Sequence, residues 1–190
     1  ERIANVSQGP IKETGLNTDL AIVHRNLPDE SGGVFFTVQN EDGEIRYTRN
    51  GHFTVDGEGF LTTNNGYYVR DSAGNRIQTN GLDFTVMTDG YIQGEGVNAQ
   101  LGIAYIENVN DLMKQGNDLF ELDGGAAANA YATGAEFTIH QYHLENSNVD
   151  PLQTMTQMLQ AYRSFEMNQR VLRAYDESMQ KAVNDIGRLG

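Results

Sequence analysis

Residues 150–190 read DPLQTMTQMLQAYRSFEMNQRVLRAYDESMQKAVNDIGRLG, and the spacing of their apolar side chains decides how the chain is organised. Met158, Phe165, Leu172, Met179 and Ile186 recur every seven residues, and Ala161, Asn168, Tyr175, Ala182 and Leu189 fall three places after each. Only Asn168 in this set is polar. An a/d pattern held over about four heptads predicts one long helix with a coiled-coil seam. Asp150 is placed to cap it, Pro151 sits where a missing N–H costs nothing, and Gln153 completes a box-like spacing with Asp150. A helix of this length spans roughly 60 Å, longer than a small β-domain is wide, so the seam is expected to meet other helices rather than its own domain. No other stretch of the chain reads as a comparable helix. The segment is therefore expected to be helical only when covered, because an isolated helix lacks the burial that offsets its conformational entropy. Asn168 would hydrogen-bond across such an interface and fix its register.

The rest of the chain has a different grammar. Of 21 glycines, 19 precede residue 150. There, short β-rich runs alternate with turn residues. Val34–Val38 is followed by Glu41-Asp42-Gly43, Arg46–Thr48 by Asn50-Gly51, His52–Val55 by Asp56-Gly57, Phe60–Thr63 by Asn64-Asn65-Gly66, and Tyr67–Arg70 by Asp71 to Asn75. Asn-Gly and Asp-Gly supply the positive φ that tight hairpins need, so an antiparallel meander in a sandwich or barrel is expected. Further strands are expected at 84–87, 101–106 and 135–142. Two stretches read as loops: His24 to Gly33, polar and broken by Pro28, and Asp123 to Gly134, a run of Gly, Ala and Asn with little to bury. The fold class is thus mainly β with a long C-terminal α-helix. Its parts are a linker remnant at 1–14, a β-rich outer domain at 15–143 and a helical assembly segment at 144–190.

Charge follows the same division. The chain carries a formal net charge of −13, yet residues 150–190 hold five acids and five bases. The whole excess lies in the front part, which would repel phosphate backbones and anionic membranes, so neither nucleic-acid binding nor membrane insertion is expected. With no cysteine there is no disulfide framework and no thiolate chemistry. The chain opens Glu1-Arg2-Ile3-Ala4, which is neither a signal peptide nor an initiation site, and is read as starting inside a longer product.

No catalytic, cofactor-binding or metal site is assigned. His140 and His143 are the one close histidine pair, but three residues apart in a strand they are expected on opposite faces. The acidic turns lack the loop length and closing Glu of a helix-loop-helix calcium site. Gly94-Glu95-Gly96 lacks the third glycine of a phosphate loop, since position 99 is Ala, and no helix follows it.

Several segments resemble bacterial flagellar basal-body rod and hook proteins. Thr14-Gly15-Leu16-Asn17-Thr18-Asp19-Leu20-Ala21-Ile22 is similar to that family's "TG-x-x-LDLAI". Phe35-Phe36-x-Val38 and Tyr47-Thr48-Arg49-Asn50-Gly51-His52-Phe53 resemble "GFF-x-V…YTR-D/N-G-x-F", and Gly59–Gly66 resembles the "G-x-L-V/T-T-x-x-G" that follows. Leu144-Glu145-Asn146-Ser147-Asn148-Val149 resembles "LE-x-SNV", and Ala161–Asn168 resembles "Q-R-A-Y/F-E-x-N". The resemblance implies a non-enzymatic subunit of the flagellar axial structure, in the extracytoplasmic basal body. It would be exported by the flagellar secretion apparatus, with terminal helices lining a tube and a β-rich middle facing outward. Its partners would be copies of itself and neighbouring rod or hook proteins. The length is nearer the distal-rod branch than the hook branch. The chain departs from the family in lacking the N-terminal helix and in residues 23–34, which stand where a short Gly-x-Gly is usual. The assembly residues expected on this reading are Met158, Phe165, Asn168, Leu172, Tyr175, Met179 and Ile186. The alternative is a secreted cell-wall-binding or glycan-hydrolysing β-domain with a coiled-coil oligomerisation tail.

Overall fold

The structure is a computed structural model that describes residues 8–123, 125–148 and 151–186, with the backbone alone at 151, 153 and 181–186. The chain divides into two units, Glu1–Asn148 and Val149–Gly190. The first is antiparallel β. In chain order its strands are β1 (Ile11–Glu13), β2 (Leu20–Asn26), β3 (Gly33–Gln39), β4 (Ile45–Thr48), β5 (Phe53–Val55), β6 (Leu61–Thr63), β7 (Tyr68–Val69) and β8 (Phe84–Val86). There follow β9 (Tyr91–Gly94), β10 (Val97–Gln100), β11 (Ile103–Ile106), β12 (Leu112–Gly116), β13 (Leu119–Leu122), β14 (Ala128–Asn129), β15 (Glu136–Gln141) and β16 (His143–Glu145). The second unit holds one helix, α1 (Pro151–Ile186).

β3 organises the first unit. It pairs with β4 along one edge and with β11 and β7 along the other, so Phe36 lies between Thr48 and Ile103, and Val38 between Arg46 and Val69. Side chains of a strand alternate between faces, which explains the apolar run. Val34, Phe36 and Val38 enter a large core with Phe53, Leu61, Leu101 and Ile139, whereas Phe35 enters a smaller one with Tyr47, Ile106 and Phe120. Edge-on aromatic pairs mark both faces, Phe36 on Phe53 at 5.1 Å and Phe35 on Phe120 at 6.0 Å between ring centres. Burying both phenylalanines contributes about 3–6 kcal/mol before entropy is counted.

The large sheet runs β12-β13-β4-β3-β7-β6-β5, with β11 and β14 joined at β3. The described strands close no barrel, which corrects that part of the expected architecture. The ladder ends at β12 and β5, and the remaining strands form smaller sheets: β10-β9-β8, β15-β2 and β1-β16.

The acidic turns are hairpin devices. Asp56 Oδ1 accepts from the backbone N–H groups of Glu58 and Phe60, and Asp71 Oδ1 accepts from those of Ala73 and Asn75. These side-chain-to-backbone bonds hold the chain in a turn. Asn50-Gly51 is different and corrects the hairpin expected there: β5 pairs with β6, not with β4. Gly51 lies against β2, where Leu20 donates its N–H to Gly51 O at 3.0 Å and a Cβ on Gly51 would fall 1.7 Å from Leu20 O. The residue is glycine for close backbone approach, not for positive φ.

Both expected loops carry structure. β2 continues through His24 to Asn26, held by β15 on one edge. On the other edge the Gln8 amide acts as a surrogate strand, donating Nε2 to Ile22 O at 3.0 Å and accepting the His24 N–H at 3.1 Å. The remainder, up to Gly32, is tied down by Tyr105, whose hydroxyl donates to Asp29 Oδ2 at 2.8 Å and accepts the Asp29 N–H at 3.1 Å. The Gly/Ala/Asn run contains β14 and a 3-10 turn at Ala130–Ala132, with Ala130 fully buried and Asn129 capping the Tyr131 N–H. β14 pairs with β11, with Ala128 opposite Tyr105 and Asn129 opposite Ala104.

His140 and His143 are also not where a continuous strand would place them. Tyr142 takes a left-handed φ of 65° and separates β15 from β16. The two rings therefore meet edge to face at 5.9 Å. The His24 and His52 rings are not part of this pair.

Candidate assembly surfaces

α1 runs unbroken for 36 residues, about 54 Å at the helical rise. The Asp150 cap and Leu189 lie outside the described residues. Every described side chain of the helix is exposed. Met158 is 65 % exposed, Phe165 58 %, Leu172 64 %, Tyr175 65 % and Met179 54 %. Asn168 and Ala161 are exposed in the same stripe. Ile186 lies in the helix by its backbone, and its side chain lies outside the described residues. The helix thus places Met158, Phe165, Asn168, Leu172, Tyr175 and Met179 in succession along one side.

The heptad reading missed how wide the apolar face is at its start. Leu152, Met155, Leu159 and Tyr162 are spaced three and four apart and lie beside Met158 and Phe165, all more than half exposed. On a helix, i, i+3, i+4, i+7 spacing makes one face, so this second stripe was legible in principle. It was overlooked because it ends at Glu166, after which Val171, Leu172, Tyr175 and Met179 continue a narrower face. Monomers rarely leave a contiguous apolar band in water.

Where the chain leaves the β unit, a polar latch forms that no local pattern reveals. β16 pairs with β1, with Ile11 opposite Glu145 and Glu13 opposite His143. Glu145 Oε1 accepts the Gly9 N–H at 2.7 Å, and Asn146 donates its N–H to Pro10 O at 2.9 Å. Glu145 Oε2 takes both Nε and Nη2 of Arg49, and Arg49 Nη1 donates to Val34 O at 2.9 Å. One guanidinium thereby ties β16 to the backbone of β3. The approach is close: a Cβ on Gly9 would fall 2.0 Å from Asn146 O.

His24 stands beside this latch. Burial holds its imidazole below the usual value of 6.5, the Arg49 charge adds to the effect, and Glu145 opposes it. Its Nδ1 is buried without a hydrogen-bond partner. A second polar knot lies at Gln141, which donates to Asn17 O at 2.7 Å and Phe84 O at 3.2 Å and accepts the Val86 N–H at 3.0 Å. Asn17 Nδ2 in turn donates to Leu82 O. These bonds tie β15, β8 and the turn before β2 together.

No cluster of three or more metal-ligating side chains occurs among the described residues. Nor is any helix, among the described residues, long and apolar enough to cross a membrane.

Two family models match the chain: "Flagellar hook protein FlgE/F/G D1 domain" over residues 31–94, which spans β3 to β9, and "Flagellar basal body rod FlgEFG protein C-terminal" over 140–185, which takes in β16 and all but the last residue of α1. Among characterised proteins, the chain is similar to the flagellar hook-basal body complex protein FlhO of Bacillus subtilis, with 35 % identity across 96 % of this chain and 70 % of the relative. It is 33 % identical to the flagellar basal-body rod protein FlgG of the same organism, across 94 % of this chain and 69 % of that one. It is also 33 % identical to the flagellar basal-body rod protein FlgF of Caulobacter vibrioides, across 97 % and 72 %.

Proposed function

Because the chain belongs to the bacterial flagellar basal-body rod and hook protein family, we infer that it is a structural subunit of the flagellar rod, located in the hook-basal body outside the cytoplasm, where it serves motility. It works as a building block and not as an enzyme. Its partners are copies of itself and the neighbouring rod and hook proteins, and export runs through the flagellar secretion apparatus.

The observation that carries the assembly mechanism is the wet apolar face of α1, on which ten large side chains from Leu152 to Met179 are each between 53 and 75 % exposed, with Met167 standing on the opposite side. Each contributes about 1.5–3 kcal/mol once covered. Covering the whole face, added to the helix's own backbone hydrogen bonds, opposes the entropy lost in holding the helix rigid. The helix enters a coiled coil through Met158, Phe165, Asn168, Leu172, Tyr175, Met179 and Ile186, with the amide of Asn168 paired across the seam. Residues 144–190 form the assembly segment, 1–14 a linker, and 15–143 an outward domain whose sheets pack as a sandwich about the larger core. Subunits joined in this way form a tube that transmits torque through its helices, while lateral contacts between β units stiffen it.

Leu172→Asp tests this. A charge at the middle of the seam removes burial and adds a desolvation cost. The variant is expected to be lost from isolated basal bodies and to give non-motile cells, while the β unit melts as in the wild type. Normal incorporation would overturn the reading. The alternative of a cell-wall-binding or glycan-hydrolysing domain draws no support from the relatives, whose names are those of rod and hook-basal body proteins.

A further inference from the structure

The β unit contains an open cleft of about 420 Å³ bordered by Arg25, Asp89, Gln100, Tyr131, Glu136 and Phe137. Its shape originates in an irregularity of the β2–β15 ladder. Glu136 lies opposite Asn26 and Phe137 opposite His24, so Arg25 is the extra residue of a bulge. Bulges re-aim side chains and recur at binding sites. Arg25 borders the cleft, exposed and with no hydrogen bond or ion pair among the described residues.

Two further groups bear on the cleft. The Tyr131 hydroxyl is buried without a partner. It is pressed toward Gly90, where a Cβ would fall 2.2 Å from it. Burial and the nearby Asp89 carboxylate push this phenol well above its ordinary value, so it remains a proton donor. A buried donor left unmade costs about 1–3 kcal/mol. The second group is main chain. Ile139 sends its N–H away from β2, to Thr88 O at 2.9 Å. Residues two apart in a strand use the same edge, so the N–H and C=O of Phe137, which borders the cleft, also point away from β2.

The charges select the occupant. Asp89 and Glu136 place two carboxylates against one guanidinium. The β unit carries the chain's whole negative excess, so a second copy of that unit is disfavoured and a basic partner is favoured. The rings of Tyr131 and Phe137, tilted with centres 5.1 Å apart, offer a face to a cation.

We propose that this cleft binds an extended peptide segment of a partner protein that carries a basic side chain. The segment adds to β15 at Phe137 as a short strand. Arg25 donates to its carbonyl oxygens. Its lysine or arginine lies between Asp89 and Glu136.

The test uses the full chain, labelled with ¹⁵N, and the probe acetyl-Thr-Val-Arg-Val-Thr-amide, with a twin in which Glu replaces Arg. The Arg peptide should shift the amides of Arg25, Gly90 and Phe137 in a saturable manner, and the Glu twin should not. Asp89→Asn combined with Glu136→Gln should weaken binding by about tenfold or more. Glu136→Gln alone, at an exposed side chain, gives the same direction of change should the double variant fail to fold. Three results overturn the proposal: no shift at these amides up to about 5 mM, a concentration already corresponding to negligible affinity; shifts confined to the acidic turns at Asp56 and Asp71; or equal binding by the carboxylate variants.

Discussion

Arg49 brings both Nε and Nη2 onto a single oxygen of Glu145, Oε2, at 2.9 and 2.7 Å, and so leaves Oε1 free to accept the Gly9 N–H. Both side chains are only about a tenth exposed. Removing one partner strands the other charge out of water, which costs far more than the net worth of the pair. Glu145→Ala should lower the urea-unfolding free energy of the β unit by about 2–4 kcal/mol. Glu145→Gln, which retains an acceptor for Gly9, should cost less. Equal losses in the two variants would show that the charge, which both remove, holds the latch and that the acceptor for Gly9 adds nothing.

His24 makes stability depend on pH. Its folded-state value lies below 6.5, so between the two values the folded protein binds fewer protons than the unfolded chain. The contribution is full above about pH 6.5 and is lost as the pH falls toward and through the folded value. Protonation would also leave an Nδ1–H buried without an acceptor. The urea midpoint should therefore fall more steeply between pH 7.5 and 5 in the wild type than in His24→Gln. Parallel profiles would assign the acid sensitivity to other groups.

Two glycines should respond differently to the same substitution. At Gly51 a Cβ would meet Leu20 O at 1.7 Å, a contact that only backbone movement in the core can relieve. Gly51→Ala should cost about 3 kcal/mol or more. At Gly66, φ is +80° with nothing within 4 Å, so Gly66→Ala carries only the left-handed penalty of about 1 kcal/mol. Chemical denaturation of the two variants side by side measures the difference.

The wide start of α1 makes a separate claim. If Leu159 and Met155 meet a second neighbour, Leu159→Asp should block incorporation into basal bodies as completely as Leu172→Asp. A freely assembling Leu159→Asp variant would restrict the working face to the heptad stripe. Helicity of residues 150–190 should also rise with protein concentration in circular dichroism, because the seam is stabilised by covering.

β3 was readable from sequence because the consecutive apolar residues Val34, Phe35 and Phe36 must be buried on both faces, and the structure puts Phe35 and Phe36 in different cores. The aspartate-led hairpins were readable because a turn is a local event, governed by a side chain and the N–H groups two to four residues on. β12 was not readable. Leu112-Met113-Lys114-Gln115-Gly116 shows no alternation, and it is a strand only because β13 offers a ladder. The latch was illegible for another reason: Arg49 and Glu145 are 96 residues apart, and neither sits in a pattern that names the other. The same holds for Gln8, whose amide completes β2 from outside any strand. In α1 the seven-residue period was plain, whereas the second stripe was masked by Glu166 and needed the helix itself to be seen.

The antiparallel register of β1 and β16 sets Ile11 against Glu145, so the stretch of chain arriving at the β unit and the stretch departing from it lie side by side, cross-linked by Gly9 and Asn146. The two therefore act as a single handle. A twist delivered through either one is divided between both before it reaches the sheets, and the Arg49 guanidinium passes it directly into β3, the strand with the most neighbours to spread it.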